Sequence, residues 1–313
     1  MKLIIQIPCF NEEKTLPETI NELPREVEGF DSVEFLIIDD GSTDKTFETA
    51  KKLGVDHIIQ LGSNRGLATA FKFGIEYALE KGADVIVNTD GDNQYCGKDI
   101  PKLIRPIIEK KADMVVGCRP IKNHPEFALV KKFLQIFGSW TLRKISRTNI
   151  RDAASGFRAF SRETCQKLNI LSQFSYTMES LIQAGNSGLR IKSVDIRINK
   201  KTRNSRLFRN VPEFIFKSTS TILMMFLLYR PGRFFTLFSS IFLIPSLFIG
   251  VRFLYLISQN SDPSRTYIPS LILLSILAWT GFLCIALGLI GIKIKSLRQV
   301  QNEILYLIRK NKK

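Results

Sequence analysis

The stretch Val85–Gln94, VIVNTDGDNQ, joins an apolar run to two acidic residues that stand one position apart. The run Val85–Asn88 predicts a buried strand, and in an α/β sheet ligands bind in the crevice beyond the carboxyl ends of the strands. Asp90 and Asp92 are expected to face one hard cation there, with Gly91 allowing a close approach of the backbone. Because such triplets also occur in turns and at helix caps, the spacing alone leaves the metal-binding interpretation open.

The chain around this stretch alternates short apolar runs with amphipathic segments, which predicts an α/β fold with a largely parallel sheet. Asn11 and Ser42 are expected to cap the first two helices. The other predicted strands are Leu3–Ile7, Val33–Ile38, His57–Leu61 and Met114–Val116, and the predicted helices are Glu12–Leu23, Asp44–Leu53, Leu67–Lys81 and Ile100–Lys110.

Polar side chains also follow the second predicted strand. Asp39 and Asp40 come directly after its apolar run, and carboxylates at a strand end can bind a base or the hydroxyls of a ribose. A capped turn explains Ser42 and Asp44 without any ligand, but it explains the two preceding aspartates less well. Three strand ends are therefore predicted to line one crevice. The residues that the first strand is expected to place there are Pro8, Asn11 and Glu13.

After Ile198 the chain becomes basic and then apolar. Residues 199–210 form a basic connector, and Val211–Tyr229 has the amphipathic spacing of a helix that lies on a membrane surface. Phe234–Ile257 and Tyr267–Ile292 are each long enough to span a bilayer, and a buried hairpin of a soluble protein is the alternative. Because basic residues are concentrated after the second span, the positive-inside rule predicts that both termini are cytosolic.

The charge and the cysteines restrict the classes of function. A formal net charge of +16 indicates an anionic partner, such as nucleic acid, anionic lipid or a phosphorylated substrate. The five cysteines include no CxxC pair and no histidine cluster accompanies them, which argues against a zinc site or a disulfide framework and favours a reducing, cytosolic setting. The N-terminal apolar run is too short for a secretory signal and is expected to form the first strand.

Five short motifs occur within residues 1–210, and they are Ile7–Glu13 (IPCFNEE), Asp39–Asp44 (DDGSTD), Asn64–Gly66 (NRG), Asp90–Gln94 (DGDNQ) and Ser155–Arg158 (SGFR). Their order and spacing resemble those of family 2 glycosyltransferases, most of all the branch of dolichyl-phosphate mannose synthases and bacterial polyprenyl-phosphate glucosyltransferases. The two apolar blocks are similar to the membrane anchor of the bacterial members. The resemblance implies a GT-A fold, which is Rossmann-like with a mostly parallel sheet, followed by amphipathic juxtamembrane helices and two C-terminal transmembrane helices.

The resemblance also implies roles for individual residues. It implies that Asp152 lies near the reacting sugar and that Asp90, Asp92 and Gln94 hold Mg²⁺ or Mn²⁺. An amide oxygen such as that of Gln94 suits a hard cation. Related enzymes often have an acidic residue at the position of Glu179, although a glutamate on a helix surface explains it nearly as well. The residues implied to bind the nucleotide-sugar are Pro8, Asn11, Glu13, Asp39, Asp40, Asn64, Asp90 and Gly91.

Basic residues are implied around the phosphates. Arg119, which follows an apolar strand, and Arg206 match positions that relatives use there, and a guanidinium fork suits a pair of phosphate oxygens. Ser205 adds a hydroxyl, so the residues expected at the acceptor phosphate are Arg119, Ser205 and Arg206. Relatives more often carry Lys at the position of Arg206 and Gly at that of Asn204, so the role of this acceptor loop stays open. The residues expected to act in catalysis are Asp152, Asp92, Arg119 and Arg206.

Together these features predict an inverting, metal-dependent transfer of a hexose from GDP-mannose or UDP-glucose to a polyprenyl phosphate. The expected partners are the nucleotide-sugar, the lipid acceptor and the membrane; self-association stays open, and nucleic acid ranks last because no recognition motif accompanies the charge. Two alternatives are a processive polysaccharide synthase, which usually carries a QxxRW motif that this chain lacks, and a catalytically inactive membrane scaffold. The expected domains are a catalytic domain (1–210), an interfacial segment (211–232), two spans (233–292) and a basic cytosolic tail (293–313).

Overall fold

The structure is a computed structural model, and it describes residues 1–120, 148, 150–170, 176–199, 219–220, 223–224, 226–259 and 267–311. The chain divides into two compact units, one of residues 1–222 with 302–313 and one of residues 223–301. Within the described ranges, the first unit contains a seven-stranded sheet with helices, and the second is built from apolar helices.

The sheet has the order β3-β2-β1-β4-β6-β5-β7. β6 runs antiparallel to its neighbours β4 and β5, and the other neighbouring strands pair in parallel. The predicted α/β fold with a largely parallel sheet is therefore confirmed. The strands are β1 (Lys2–Cys9), β2 (Ser32–Asp39), β3 (His57–Gln60), β4 (Val85–Asn88), β5 (Met114–Cys118), β6 (Arg158–Ser161) and β7 (Ile191–Asp195).

The register of the central strands places the carboxyl ends of β1, β2 and β4 side by side. β1 is buried on both of its faces, as expected for a parallel strand covered by helices. It pairs Cys9 with Asp39 of β2, and Gln6 with Asn88 of β4. The loops after β1, β2 and β4 consequently leave the sheet at one edge, which we call the carboxyl edge.

The helices of the first unit cover the sheet through apolar faces. In α4, for example, Ile100, Leu103, Ile104 and Ile107 are buried at the spacing of one helix face. The helices of this unit before the C-terminal segment are α1 (Leu16–Glu22), α2 (Thr46–Lys52), α3 (Leu67–Glu80), α4 (Ile100–Ile108), α5 (Arg162–Lys167) and α6 (Tyr176–Asn186).

The predicted helix caps at Asn11 and Ser42 are wrong. The N-cap of α1 is Thr15, and that of α2 is Lys45. The hydroxyl of Ser42 instead accepts a hydrogen bond from the backbone N–H of Asn11 (2.9 Å), so this bond ties the loops after β1 and β2 to each other. Asp44 does brace the start of α2, where its Oδ1 accepts from the backbone N–H of Thr46 (3.0 Å).

The second unit contains the helices α7 (Pro231–Ser258) and α8, which runs from Ile268 to Asn311 and leaves the unit at residue 301. Both are long and apolar enough to be candidate membrane spans. They approach closely at small residues, since a Cβ atom at Gly288 would lie 2.9 Å from Cβ of Phe235. Small residues at such a contact are typical of packed membrane helices.

The amphipathic segment predicted over Val211–Tyr229 lies partly outside the described residues. Its described residues 219–220, 223–224 and 226–229 are helical.

The end of α8 belongs to the first unit, which the sequence did not indicate. Arg309 of α8 donates hydrogen bonds to Oε1 of Glu76 (3.1 Å) and to the backbone carbonyl of Leu168 (2.5 Å). Asn302 accepts a hydrogen bond from the side chain of Asn169 (2.9 Å). Part of the predicted basic tail is therefore a helical segment that packs within the first unit.

Candidate active site

The loop that follows β4 is fixed by the end of β1 and by the start of α1. The backbone carbonyl of Gly91 accepts hydrogen bonds from the hydroxyls of Thr15 (2.9 Å) and Thr19 (3.1 Å). A Cβ atom at Gly91 would lie 2.9 Å from Sγ of Cys9, which is closer than such atoms pack. This close packing against Cys9 explains why a glycine separates the two aspartates.

Asp90, Asp92 and Gln94, the predicted metal ligands, are all partly exposed. Oδ1 of Asp92 accepts a hydrogen bond from the backbone N–H of Gln94 (3.3 Å), which keeps these two residues together. In the described parts of the chain, no group of three or more His, Cys, Asp and Glu side chains forms a metal site by itself. Two carboxylates and an amide oxygen nevertheless fit Mg²⁺ or Mn²⁺, because such ions take their remaining ligands from water and substrate phosphates.

The junction between β1 and β2 collects four of the residues predicted to bind the nucleotide-sugar. Asn11 has a φ of +56°, and its Oδ1 accepts a hydrogen bond from the backbone N–H of Thr43 (2.7 Å). Asp39 is fully buried and accepts from the backbone N–H of Ser42 (2.9 Å). These side chains shape the loops by bonding backbone groups. The other two residues at the junction are Pro8, buried opposite Ile38, and Glu13, which accepts from the backbone N–H of Lys45.

Asp40 fixes the loop that precedes α3. Its two carboxylate oxygens accept hydrogen bonds from the backbone N–H groups of Arg65 (2.8 Å) and Gly66 (2.9 Å). Burial raises the pKa of the Asp40 carboxyl, against the effect of these two hydrogen bonds. Gly41 has a φ of +73°, and a Cβ atom there would lie 2.7 Å from the backbone nitrogen of Asn64, so only glycine fits. Asn64 itself is exposed beside this junction.

Arg119 and Asp152 form a buried ion pair at the carboxyl end of β5. Nε and Nη2 of Arg119 donate to the two carboxylate oxygens of Asp152, at 2.7 Å and 3.0 Å. The side chains are 17% and 1% exposed. Burial opposes the charge of Arg119, but the neighbouring Tyr95 and Asp152 outweigh this effect and raise the pKa of the guanidinium. The bidentate pair holds the Asp152 carboxylate in one orientation.

A turn of residues 152–156 connects this ion pair with the acidic loop after β4. The backbone N–H of Gly156 donates to the hydroxyl of Tyr95 (3.0 Å), and its carbonyl accepts from Nδ2 of Asn88 (2.9 Å). A Cβ atom at Gly156 would lie 3.1 Å from Oδ1 of Asp90. The structure therefore brings the predicted metal ligand Asp90 against the turn that begins with Asp152.

Asn88, Tyr95 and Tyr176 belong to this site, although no role was predicted for them. Nδ2 of Asn88 also donates to the hydroxyl of Tyr176 (3.0 Å), whose ring stacks on Phe71 with 4.1 Å between the centroids. Burial raises the pKa of Tyr95 to about 12, so its hydroxyl stays protonated. A polar residue at the end of a buried strand was a usable signal for Asn88, whereas nothing local marks Tyr176.

Glu179 is fully buried in α6, so its interpretation as a helix-surface residue is wrong. Its Oε1 accepts a hydrogen bond from Nε2 of Gln183 (3.2 Å), which also donates to the backbone carbonyl of Asn169 (2.6 Å). Helical spacing did not reveal this burial because α6 is buried along most of its length and not only on one apolar face. Ser205 and Arg206, together with Asn204, lie outside the described residues.

The family model of glycosyl transferase family 2 matches residues 4–168, which is more than half of the chain. The chain therefore belongs to this family and is a glycosyltransferase, which confirms the family inferred from the five motifs.

Several relatives act on lipid phosphates. The UDP-N-acetylglucosamine–dolichyl-phosphate N-acetylglucosaminyltransferase of Methanococcus voltae is 32% identical over 216 residues, which cover 61% of this chain and 83% of that protein. The undecaprenyl-phosphate mannosyltransferase of Micrococcus luteus is 26% identical over 206 residues, which cover 63% and 83%.

A solved structure with the same fold is that of glucosyl-3-phosphoglycerate synthase from Mycobacterium tuberculosis in complex with Mn²⁺, uridine diphosphate and phosphoglyceric acid. It aligns with a TM-score of 0.56 at 17% identity, over 72% of this chain and 77% of that chain. At this identity the likeness concerns the fold alone, and it confirms the predicted GT-A-like architecture.

Proposed function

We propose that this glycosyltransferase transfers a hexose from a nucleotide-sugar to a polyprenyl phosphate in the membrane, with inversion at the anomeric carbon. The observation that carries the proposal is the contact at the carboxyl edge between Asp90 and the turn that begins with Asp152, where Oδ1 of Asp90 lies 3.1 Å from the position of a Cβ atom on Gly156. A metal-ligand candidate and a buried, oriented carboxylate thus share one small region.

Asp90, Asp92 and Gln94 would hold Mg²⁺ or Mn²⁺ together with the diphosphate of the donor. When bound, such an ion supplies positive charge that neutralises the departing nucleoside diphosphate. The proposal is supported by the donor set of these residues and by the Mn²⁺ in the complex of the structurally similar synthase. The nucleoside would lie at the rim that the family resemblance implies for it, which is made by Pro8, Asn11, Glu13, Asp39, Asp40, Asn64 and Gly91.

Asp152 and Arg119 would act on the reacting centre. Asp152, held by Nε and Nη2 of Arg119, would orient the sugar or stabilise positive charge that develops on it. Nη1 of Arg119, which lies outside that pair, would reach a phosphate oxygen of the acceptor, with Ser205 and Arg206 as its partners in that role. A lipid phosphate is already ionised near neutral pH, so a single displacement needs no strong base and inverts the configuration.

The lipid acceptor is supported by the relatives that use dolichyl or undecaprenyl phosphate and by the two candidate spans. A polyprenyl phosphate keeps its chain in the bilayer, so an enzyme anchored in that bilayer meets its acceptor at a high local concentration. The positive-inside rule favours cytosolic termini and a cytosolic catalytic domain. Self-association would be compatible with this arrangement.

The test is a donor screen with the full-length protein in lipid nanodiscs. GDP-mannose, UDP-glucose and UDP-N-acetylglucosamine are each supplied with Mg²⁺ or Mn²⁺, with undecaprenyl or dolichyl phosphate present or absent. We expect one donor to release nucleoside diphosphate in an acceptor-dependent manner. If a nucleotide-sugar binds but no combination of donor, metal and lipid phosphate releases nucleoside diphosphate, the inactive-scaffold alternative replaces this proposal.

A further inference from the structure

Arg158, the first residue of β6, is the largest fully buried side chain of the sheet and has no role in the function described so far. It pairs in the ladder with Asn88 at the end of β4 and with Val116 of β5. Its backbone thus lies at the carboxyl edge, two residues after Gly156. A buried guanidinium is costly unless its donors are satisfied, so its partners indicate why it is there.

The partners of Arg158 are backbone carbonyls and a hydroxyl. Nε donates to the carbonyl of Ser155 (2.8 Å), and Nη2 donates to the carbonyl of Ala153 (2.7 Å), both within the turn of residues 152–156. Nη1 donates to the carbonyl of Thr177 (2.6 Å) and the hydroxyl of Ser180 (2.9 Å), both in α6. One planar side chain therefore joins the turn to the helix.

The side chain of Ser155, which lies within the turn, does not hold the turn in this way. The buried hydroxyl of Ser155 makes no hydrogen bond within the described part of the chain. The conformation of the turn thus depends on Arg158 at Ala153 and Ser155, on Asn88 and Tyr95 at Gly156, and on Arg119 at Asp152. Of these, only Arg158 contacts carbonyls between Asp152 and Gly156.

We propose that Arg158 is a positioning residue that ties the turn of residues 152–156 to α6 and so keeps Gly156 against Asp90 and Asp152 at the reacting sugar. The inference rests on the proposed function for its catalytic part, but the position of Asp90 also governs metal binding in the absence of any acceptor. The arginine of the SGFR motif thus has the role of maintaining the geometry of the site. Arg158 itself touches neither substrate nor metal.

The principal test is the conservative variant Arg158→Lys. Lysine keeps the charge but lacks the planar fork, so it cannot bond the turn and α6 together. We expect about 10-fold weaker Mn²⁺ binding in the presence of UDP or GDP, measured by electron paramagnetic resonance, because outer-shell partners of metal ligands have effects of about 10–100-fold. We expect a similar loss in kcat with a smaller change in the KM of the donor.

The matched control is Arg162→Lys. Arg162 also donates to backbone carbonyls, those of Leu79 (3.3 Å) and Ala83 (2.9 Å), but these lie at the end of α3 and just before β4, away from the carboxyl edge. We expect both variants to lower the Tm, and we expect Arg162→Lys to leave Mn²⁺ affinity and kcat within about 2-fold. If Arg158→Lys behaves in the same way as this control, the proposal is overturned.

A second variant keeps the test decisive if Arg158→Lys does not fold. Gly156→Ala leaves Arg158 in place and adds a methyl group 2.7 Å from the hydroxyl of Tyr176 and 3.1 Å from Oδ1 of Asp90. We expect it to weaken Mn²⁺ binding about 10-fold. Unchanged Mn²⁺ binding by folded Gly156→Ala would contradict the proposal. Absence of lipid product from the wild-type protein would refute the proposed function and leave the Mn²⁺ measurements as an independent result.

Discussion

The two ends of β5 carry the same kind of ion pair in different surroundings. Before the strand, Arg190 binds Asp113 through Nε (3.0 Å) and Nη2 (2.7 Å). After the strand, Arg119 binds Asp152 with nearly the same geometry. The Arg190 pair is open to solvent, with side chains 58% and 20% exposed, whereas those of the Arg119 pair are 17% and 1% exposed.

The difference indicates what each end of the sheet does. An exposed pair is screened by water and contributes modestly to folding. A buried pair is costly to desolvate and is weak evidence for stability, so its retention at a site calls for a functional reason. We infer that the amino ends of the strands maintain the fold and that the carboxyl ends carry the chemistry.

The largest effect is expected at β4. Asp92→Asn keeps the shape of the side chain but removes its charge, so we expect kcat to fall about 10³-fold through loss of a metal ligand. The control is Asp84→Asn, at the amino end of the same strand, where Asp84 accepts from the backbone N–H of Lys2 (2.7 Å). Release of nucleoside diphosphate is measured for both, and equal activities would contradict the assignment.

We expect kcat to fall about 100-fold when either partner of the buried ion pair at the carboxyl end of β5 is changed, as in Asp152→Asn or Arg119→Lys. Arg190→Lys, at the other end of β5, is expected to leave kcat within about 2-fold. Steady-state kinetics with a fixed donor compare the three. If Arg190→Lys is as damaging as Arg119→Lys, the distinction between the two ends of the strand is wrong.

A smaller effect is expected at the nucleoside rim. Asp40→Asn keeps one of the two acceptor oxygens that fix the loop at Arg65 and Gly66. Loss of one such hydrogen bond corresponds to about 10-fold in affinity, so we expect the KM of the donor to rise about 10-fold with little change in kcat. Isothermal titration with the nucleoside diphosphate checks this expectation, and a fall in kcat with unchanged affinity would place Asp40 in the reaction itself.

The smallest effect concerns stability alone. Hydrogen bonding from Arg190 lowers the pKa of Asp113. The stability from this pair is thus present above the usual aspartate pKa of about 4 and is lost as pH falls through the lowered value. We expect Asp113→Asn to have a lower Tm than the wild type at pH 7, and the difference to shrink below pH 4. A difference independent of pH would exclude the ionic contribution.

Local patterns were enough to predict much of this molecule. The apolar run Val85–Asn88 is β4 with the bounds expected from the sequence, and the acidic residues after it do lie at the carboxyl edge. The rim residues Asp39 and Asp40 follow β2 for the same reason, because residues next to a strand end stay next to it in the fold. Position relative to a strand is a local property, and the sequence displays it.

Contacts between distant segments could not be predicted in the same way. The caps expected at Asn11 and Ser42 bond each other across 31 positions, and the burial of Glu179 depends on the elements packed around α6. Arg158 joins the site because the antiparallel β6 lies between β4 and β5, and Tyr176 joins it because the start of α6 packs against Asn88. No periodicity in the chain predicts that β6 lies between β4 and β5. This placement of β6 determines the half of the site where the sugar would react.

The most direct test of the central claim is mass spectrometry of the lipid product formed by the full-length protein with a nucleotide-sugar, polyprenyl phosphate and Mg²⁺ or Mn²⁺. We predict a polyprenyl phosphate carrying a single sugar, which disappears when the metal is chelated and when Asp92 is changed to Asn. A polymeric product, or consumption of the donor without any lipid-linked sugar, would contradict the account.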